Sequence, residues 1–168
     1  NVNHTNDEDH GIIVSEIIGG NTKNGIAKAV TIAVADASTR GNNGKYNPNP
    51  TITMYNDLYN KGARIFNQSY GVESKVTDYD WNNPINVQAQ IGTDSLQFYK
   101  EKVRDGALFI WAAGNKKMDN NPSLEPGLPY RVNELEKGWI NVVGLANESL
   151  LNPDETKWEK LDRLSGAG

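Results

Sequence analysis

Residues 107–112 read ALFIWA, six positions without a polar side chain. A run this short and this uniformly apolar fits a strand buried on both faces, as in the middle of a parallel sheet. In the segment ahead of it, Asp94 and Gln97 stand as a capping pair, Leu96, Tyr99 and Val103 share one helical face, and Gly106 supplies a stop. A helix that delivers the chain into a buried strand is part of a βαβ unit, and the rest of the sequence repeats the pattern. Residues 10–18 pair Ile13 with Ile17 and Val14 with Ile18 at helical spacing before Gly19-Gly20. Residues 30–35 (VTIAVA) predict a buried strand, and 36–48, holding Gly41-Asn42-Asn43-Gly44, predict a loop. Asn49 then offers a cap and Pro50 a first helical position for a helix carrying Ile52, Tyr55 and Tyr59, closed by Gly62. Residues 64–69 (RIFNQS) predict a strand, 70–93 a long irregular excursion, 139–146 (WINVVGLA) a further buried strand, and 161–165 the beginning of one more. This alternation predicts an α/β fold with a mainly parallel sheet flanked by helices and right-handed crossovers. The 168 residues are expected to form a single domain.

Composition removes several function classes. There are no cysteines, so disulfide frameworks, thiolate metal sites and cysteine nucleophiles are out. With 17 basic against 21 acidic residues the formal charge is -4, which argues against nucleic acid or an anionic membrane as partner. No apolar run reaches the length of a membrane span, and the opening NVNHTNDEDH is no signal peptide. Asparagine is abundant, 22 residues, and feeds turns or an adhesive polar surface.

Four short segments carry the chemistry, in this order: His10-Gly11-Ile12-Ile13-Val14, Asn67-Gln68-Ser69-Tyr70-Gly71, Ala112-Ala113-Gly114-Asn115 and Gly127-Leu128-Pro129. In that order, and on matching strands and helices, they resemble the central part of a subtilisin-like serine protease from about Asp7 to Gly168, and residues 106–115 (GALFIWAAGN) are the most specific part. The resemblance implies peptide-bond hydrolysis through an Asp-His-Ser triad. His10, followed at once by glycine at the start of a helix, corresponds to the histidine that takes the nucleophile's proton and returns it to the leaving amine. Asn115 corresponds to the amide donor of the oxyanion hole. Ser69, Tyr70 and Gly71 would pair with the substrate main chain and form one wall of the primary specificity pocket, as an exposed edge takes up an extended peptide. Ala112, Ala113 and Gly114 would form the facing wall, and Gly127-Leu128-Pro129 the floor. Two positions depart from the family pattern: Ile12 and Ile13 follow Gly11, and Tyr70 stands where an aliphatic residue is usual.

The family's triad runs Asp, His, Ser along the chain. No D-[ST]-G pattern precedes His10 and no G-T-S motif follows, so the chain reads as a partial catalytic domain without the Asp and Ser segments. Ser165, in Ser165-Gly166-Ala167-Gly168, falls by position on the strand before the nucleophile region. The fragment is therefore expected to be inactive by itself, and to self-associate through apolar sheet surface and unpaired edges.

Other readings use the same residues. His10 could be a surface histidine in an acidic run, Asn115 the support of a left-handed turn, and Ser69 to Gly71 a plain strand-to-loop turn. His4, Asp7, Asp9 and His10 together could hold a metal, though their spacing fits no established motif. The whole chain could be a non-catalytic pseudoprotease or an adhesive surface module. A dinucleotide-binding domain is disfavoured by the lack of any G-x-G-x-x-G after a strand. On the protease reading the partners are polypeptide substrates and no metal or cofactor is expected; a structural calcium has no signal in the residues. The resemblance also implies a secreted or cell-surface location, in bacteria including the passengers of outer-membrane autotransporters.

Overall fold

The computed structural model describes residues 10–21, 23, 25–35, 52–71, 74–82, 94–114 and 123–143 in full, and the backbone of 38–40, 46–48, 93, 145–147 and 161–163. The chain divides into two compact units, residues 1–63 and 64–168.

The first unit opens with helix α1, His10–Gly19. Its last carbonyls need partners once the helical ladder ends. Gly20 N–H donates to Glu16 O (3.0 Å), and the returning chain sends Ile26 N–H to Ile17 O (3.1 Å) and Ala27 N–H to Ile18 O (2.8 Å). Gly19 makes the return feasible: a Cβ there would lie 2.8 Å from both Val30 Cγ2 and Ile32 Cδ1. The strand expected over 30–35 is absent, since these residues are irregular and Val30, Ile32 and Val34 are exposed. A strand exists only through its ladder, and no described strand pairs with this segment.

Where a loop was expected over 36–48, the backbone forms a small antiparallel ribbon. Strand β1, Ser38–Arg40, pairs with β2, Tyr46–Pro48, with Thr39 opposite Asn47. Helix α2, Ile52–Asn60, buries Tyr55 with Ile52 and Tyr59 half-buried, the face its spacing predicts. Its cap residues Asn49 and Pro50 lie outside the described residues. Gly62, at φ 100°, closes the helix by donating to Tyr59 O (3.0 Å).

The second unit is built on a three-stranded parallel sheet: β3, Ile65–Gln68, β4, Leu108–Ala112, and β5, Trp139–Val142, with β4 in the centre. The ALFIWA strand is central, as expected, but it is buried on one face and not on both: Phe109 and Trp111 are buried, Leu108 and Ile110 half-buried and Ala112 exposed. Register sorts the side chains into two faces. Phe66, Phe109 and Trp139 stand abreast on the inner face, followed by Gln68, Trp111 and Asn141. Helix α3, Thr93–Arg104, covers that face with Phe98, Tyr99 and Val103 buried. The result is an aromatic core. Phe66 stacks on Phe109 at 4.9 Å between centroids, and Tyr99 meets Phe109 at 5.1 Å and Trp139 at 5.3 Å, both edge to face. Trp111 stacks on Trp139 at 5.4 Å. Such pairs contribute about 0.5–1.5 kcal/mol each beyond the area they bury.

The helix begins at Thr93, one residue before the predicted cap, and Gln97 Nε2 donates to Glu101 Oε1 (2.8 Å), an i,i+4 side-chain bond. Gly106, at φ 90°, ends the helix as expected. The opposite face of the sheet is open, with Ile65, Ile140 and Val142 at 63%, 44% and 53% exposure.

The long excursion after β3 is pinned at several points. A 3₁₀ turn at Val76–Asp78 buries Val76, Asp78 accepts the Lys75 N–H (2.9 Å), and Trp81 Nε1 donates to Val76 O (2.7 Å). Two further 3₁₀ turns, Leu128–Tyr130 and Asn133–Gly138, bury Leu128 and Leu135 before β5. The strand predicted over 139–146 is broken in two: β5 ends at Val142, and β6, Leu145–Asn147, turns away to pair antiparallel with β7, Leu161–Arg163.

Candidate active site

In parallel sheets, ligands bind beyond the carboxyl ends of the strands, where neighbouring chains part. That parting is visible here. The β3–β4 ladder stops at the pair Gln68 and Trp111, whereas β4 stays with β5 through Ala112 opposite Val142 and a bond from Ala113 N–H to Val142 O (3.0 Å). Ser69, Tyr70 and Gly71 leave on one side, and Ala112, Ala113 and Gly114 on the other.

The first wall is held from below. Asn67 Nδ2 donates to Ser69 Oγ (2.8 Å), and the half-buried Tyr70 ring meets Trp111 edge to face at 5.9 Å. Gly71 is exposed. On the second wall Ala112 is exposed, Ala113 is buried, and Gly114 takes φ 108°, a conformation that side chains with a Cβ rarely adopt. Asn115 lies outside the described residues.

The loop before β5 runs under both walls. Ser123 forms an antiparallel bridge with Lys75, and Leu124 N–H donates to Ser74 O (2.9 Å). Beyond Ser123 the chain turns, with Gly127 N–H donating to Ser123 O (3.0 Å). A Cβ on Gly114 would lie 2.8 Å from Ser123 Oγ, and one on Gly71 would lie 4.0 Å from Glu125 Oε2. The loop is fixed by its own carbonyls: Glu125 O accepts from Trp139 Nε1 (3.1 Å), and Pro126 O from Asn141 Nδ2 (2.8 Å). Gly127 and Leu128 are buried in the turn that follows, and Pro129 is half-buried. Ser123 and Glu125 were not singled out from the sequence. The signal present was an alternating pair just ahead of Pro126-Gly127.

His10 belongs to the first unit, where it is the first residue of α1 and exposed. The next turn places Ser15 Oγ on Gly11 O (2.8 Å), and a Cβ at Gly11 would meet nothing within 4 Å. Ile12 and Ile13, which depart from the expected pattern, are exposed at 64% and 55%. Among the described residues no group of three or more His, Cys, Asp or Glu side chains is placed to hold a metal ion. His4, Asp7 and Asp9 lie outside them, as does Ser165. No helix of the described residues is long and apolar enough to cross a membrane.

A parallel sheet whose central strand runs into Ala112-Ala113-Gly114 beside a departing Ser69-Tyr70-Gly71 edge agrees with an incomplete α/β fold of the subtilisin type. The subtilase family profile matches residues 1–160, and the chain belongs to that family. No curated protein and no solved structure matches it.

Proposed function

We propose that the chain supplies the general base, the oxyanion donor and the substrate-binding walls of a serine endopeptidase. Membership of the subtilase family supports the class of reaction. The observation that carries the assignment of parts is the divergence of β3 and β4 beyond Gln68 and Trp111, with both family segments at its rims. On this reading an extended polypeptide lies against 69–71 and 112–114, and one of its side chains enters the gap between them. His10 takes the hydroxyl proton of a serine nucleophile as its oxygen bonds to the scissile carbonyl carbon. The carbonyl oxygen, now an anion, accepts the Asn115 amide. When the C–N bond breaks, His10 gives the proton to the leaving amine, and water repeats the sequence to release the acid.

The whole chain corresponds to one partial catalytic domain, and secretion or cell-surface display goes with the reading. The 168 residues by themselves are inactive, because they hold no G-T-S nucleophile motif. The test is a fluorogenic peptide panel combined with a serine-directed fluorophosphonate. The isolated chain takes no label. In a longer form that hydrolyses peptides, His10→Ala lowers kcat on the order of 10⁶-fold and an Asn115 amide deletion about 10²–10³-fold, figures established on a subtilisin. Labelling of any serine in the isolated chain, or activity surviving His10→Ala, refutes the assignment.

A further inference from the structure

Asn67 is out of character for its place. Asparagine is depleted from strands, yet it holds the third position of β3, where register sets it beside Ile110 and, across β4, Ile140. Ile65 and Ile140 are exposed on this outer face and Ile110 is half-buried, so the surroundings of Asn67 are apolar. A β-branched apolar residue would suit such a position better on packing grounds. What asparagine supplies is its amide: Nδ2 donates to Ser69 Oγ (2.8 Å), two residues on.

That bond lies where the ladder stops. Gln68 opposite Trp111 is the last β3–β4 pair, and the edge 69–71 begins with the next residue. The Asn67 amide ties the first residue beyond the ladder to a residue within it, and the Tyr70 ring on Trp111 (5.9 Å, edge to face) ties the second. Gly71 follows, exposed and without a side chain to fix its backbone. An edge that must be ordered when a peptide arrives loses affinity to that ordering, and an edge ordered beforehand does not. We propose that Asn67 is a positioning residue: its amide holds Ser69 so that the edge 69–71 is set to receive an extended polypeptide. This rests on the peptide-binding function proposed above. Because the bond is local and exposed, its effect falls on the edge and not on global stability.

The experiment uses the whole chain, labelled with ¹⁵N, and acetyl-tetraalanine-amide as the peptide. In the free chain the backbone order parameters of 69–71 are about 0.85, and they fall below about 0.6 in Asn67→Val and in Ser69→Ala. Peptide affinity, read by amide-shift titration, weakens about three- to tenfold in each variant, the range that one hydrogen bond spans. The double variant is no weaker than either single one, because both remove the same bond. Asn67→Asp recovers affinity, since its carboxylate accepts the Ser69 hydroxyl proton over the same span. The urea midpoint separates positioning from a merely structural role: Asn67→Val holds or raises it, whereas a structural asparagine would lower it in step with affinity. Additive losses in the double variant, no recovery with Asn67→Asp, or a lowered midpoint that tracks the loss of affinity overturns the inference. A chain that leaves the peptide unbound while Asn67→Val still disorders 69–71 sinks only the peptide-binding reading. Peptide binding with order and affinity kept in Asn67→Val sinks only the role of Asn67, and neither binding nor disordering sinks both.

Discussion

Gly138 closes the last 3₁₀ turn before β5 and is buried. A Cβ built there would lie 2.6 Å from Ala107 O, 2.7 Å from Val103 Cγ2 and 2.9 Å from Val103 Cγ1. Ordinary carbon contacts begin about 0.6–0.8 Å farther out. Gly138→Ala therefore forces a backbone displacement, because one of the three atoms is a carbonyl oxygen that cannot rotate away. That carbonyl is tied on both sides: Ala107 N–H donates to Lys102 O (2.8 Å) at the end of α3, and Leu108 N–H to Arg64 O (2.8 Å) at the start of the β3–β4 ladder. Inserting a methyl group into packing this tight costs about 1–3 kcal/mol. The loss of glycine's freedom in the unfolded chain returns about 0.4–1 kcal/mol. The expected net destabilisation is about 1–2 kcal/mol, read as a shift in the urea midpoint by the fluorescence of Trp111 and Trp139. Val103→Ala in the same chain removes two of the three clashing atoms. The double variant should be less destabilised than the two single effects added together, with a coupling of about 0.5–1.5 kcal/mol. A neutral or stabilising Gly138→Ala, or strict additivity with Val103→Ala, would refute the reasoning.

Two further outcomes follow from the second unit. The Glu134 carboxylate is held below its ordinary range by its own backbone amide and then by the hydrogen bond and charge of Lys100 (3.0 Å), so the pair's contribution is fully present above the usual carboxylate pKa and fades as pH falls through the lowered value. Both partners are substantially exposed, so a Lys100→Met, Glu134→Gln cycle should read only a few tenths of a kcal/mol at neutral pH and nothing at pH 2; a coupling unchanged by acid would contradict it. The open sheet face of Ile65, Ile140 and Val142 should drive the chain to self-associate at micromolar concentration by light scattering, and Ile140→Lys with Val142→Lys should restore a monomer; a monomeric unmodified chain would count against this.

Several features were legible in the order of residues alone. ALFIWA could only be an interior strand, and it is the middle of the sheet. The helical spacing of Tyr99 and Val103 named two of the three residues that α3 buries, Phe98 being the third, and Gly62 and Gly106 ended their helices at positive φ where a side chain would be strained. The family motifs were readable for the same reason: a short stretch such as Ala112-Ala113-Gly114 is constrained locally, by the need for small side chains and one left-handed residue. Propensity failed wherever the deciding partner lay far along the chain. Residues 30–35 have every local mark of a strand, yet a strand is made by its neighbour, and the described structure offers none. The run at 139–146 has one continuous pattern but serves two sheets, because where β4 ends determines where β5 must stop. Glu125 is the sharpest case. In sequence it is one acidic residue in a turn; only the ladder bond between Leu124 and Ser74, and the anchoring of its carbonyl by Trp139, carry its carboxylate to Gly71, 54 positions earlier in the chain. Local chemistry settles which element a residue joins, and long-range pairing alone settles which residues it meets.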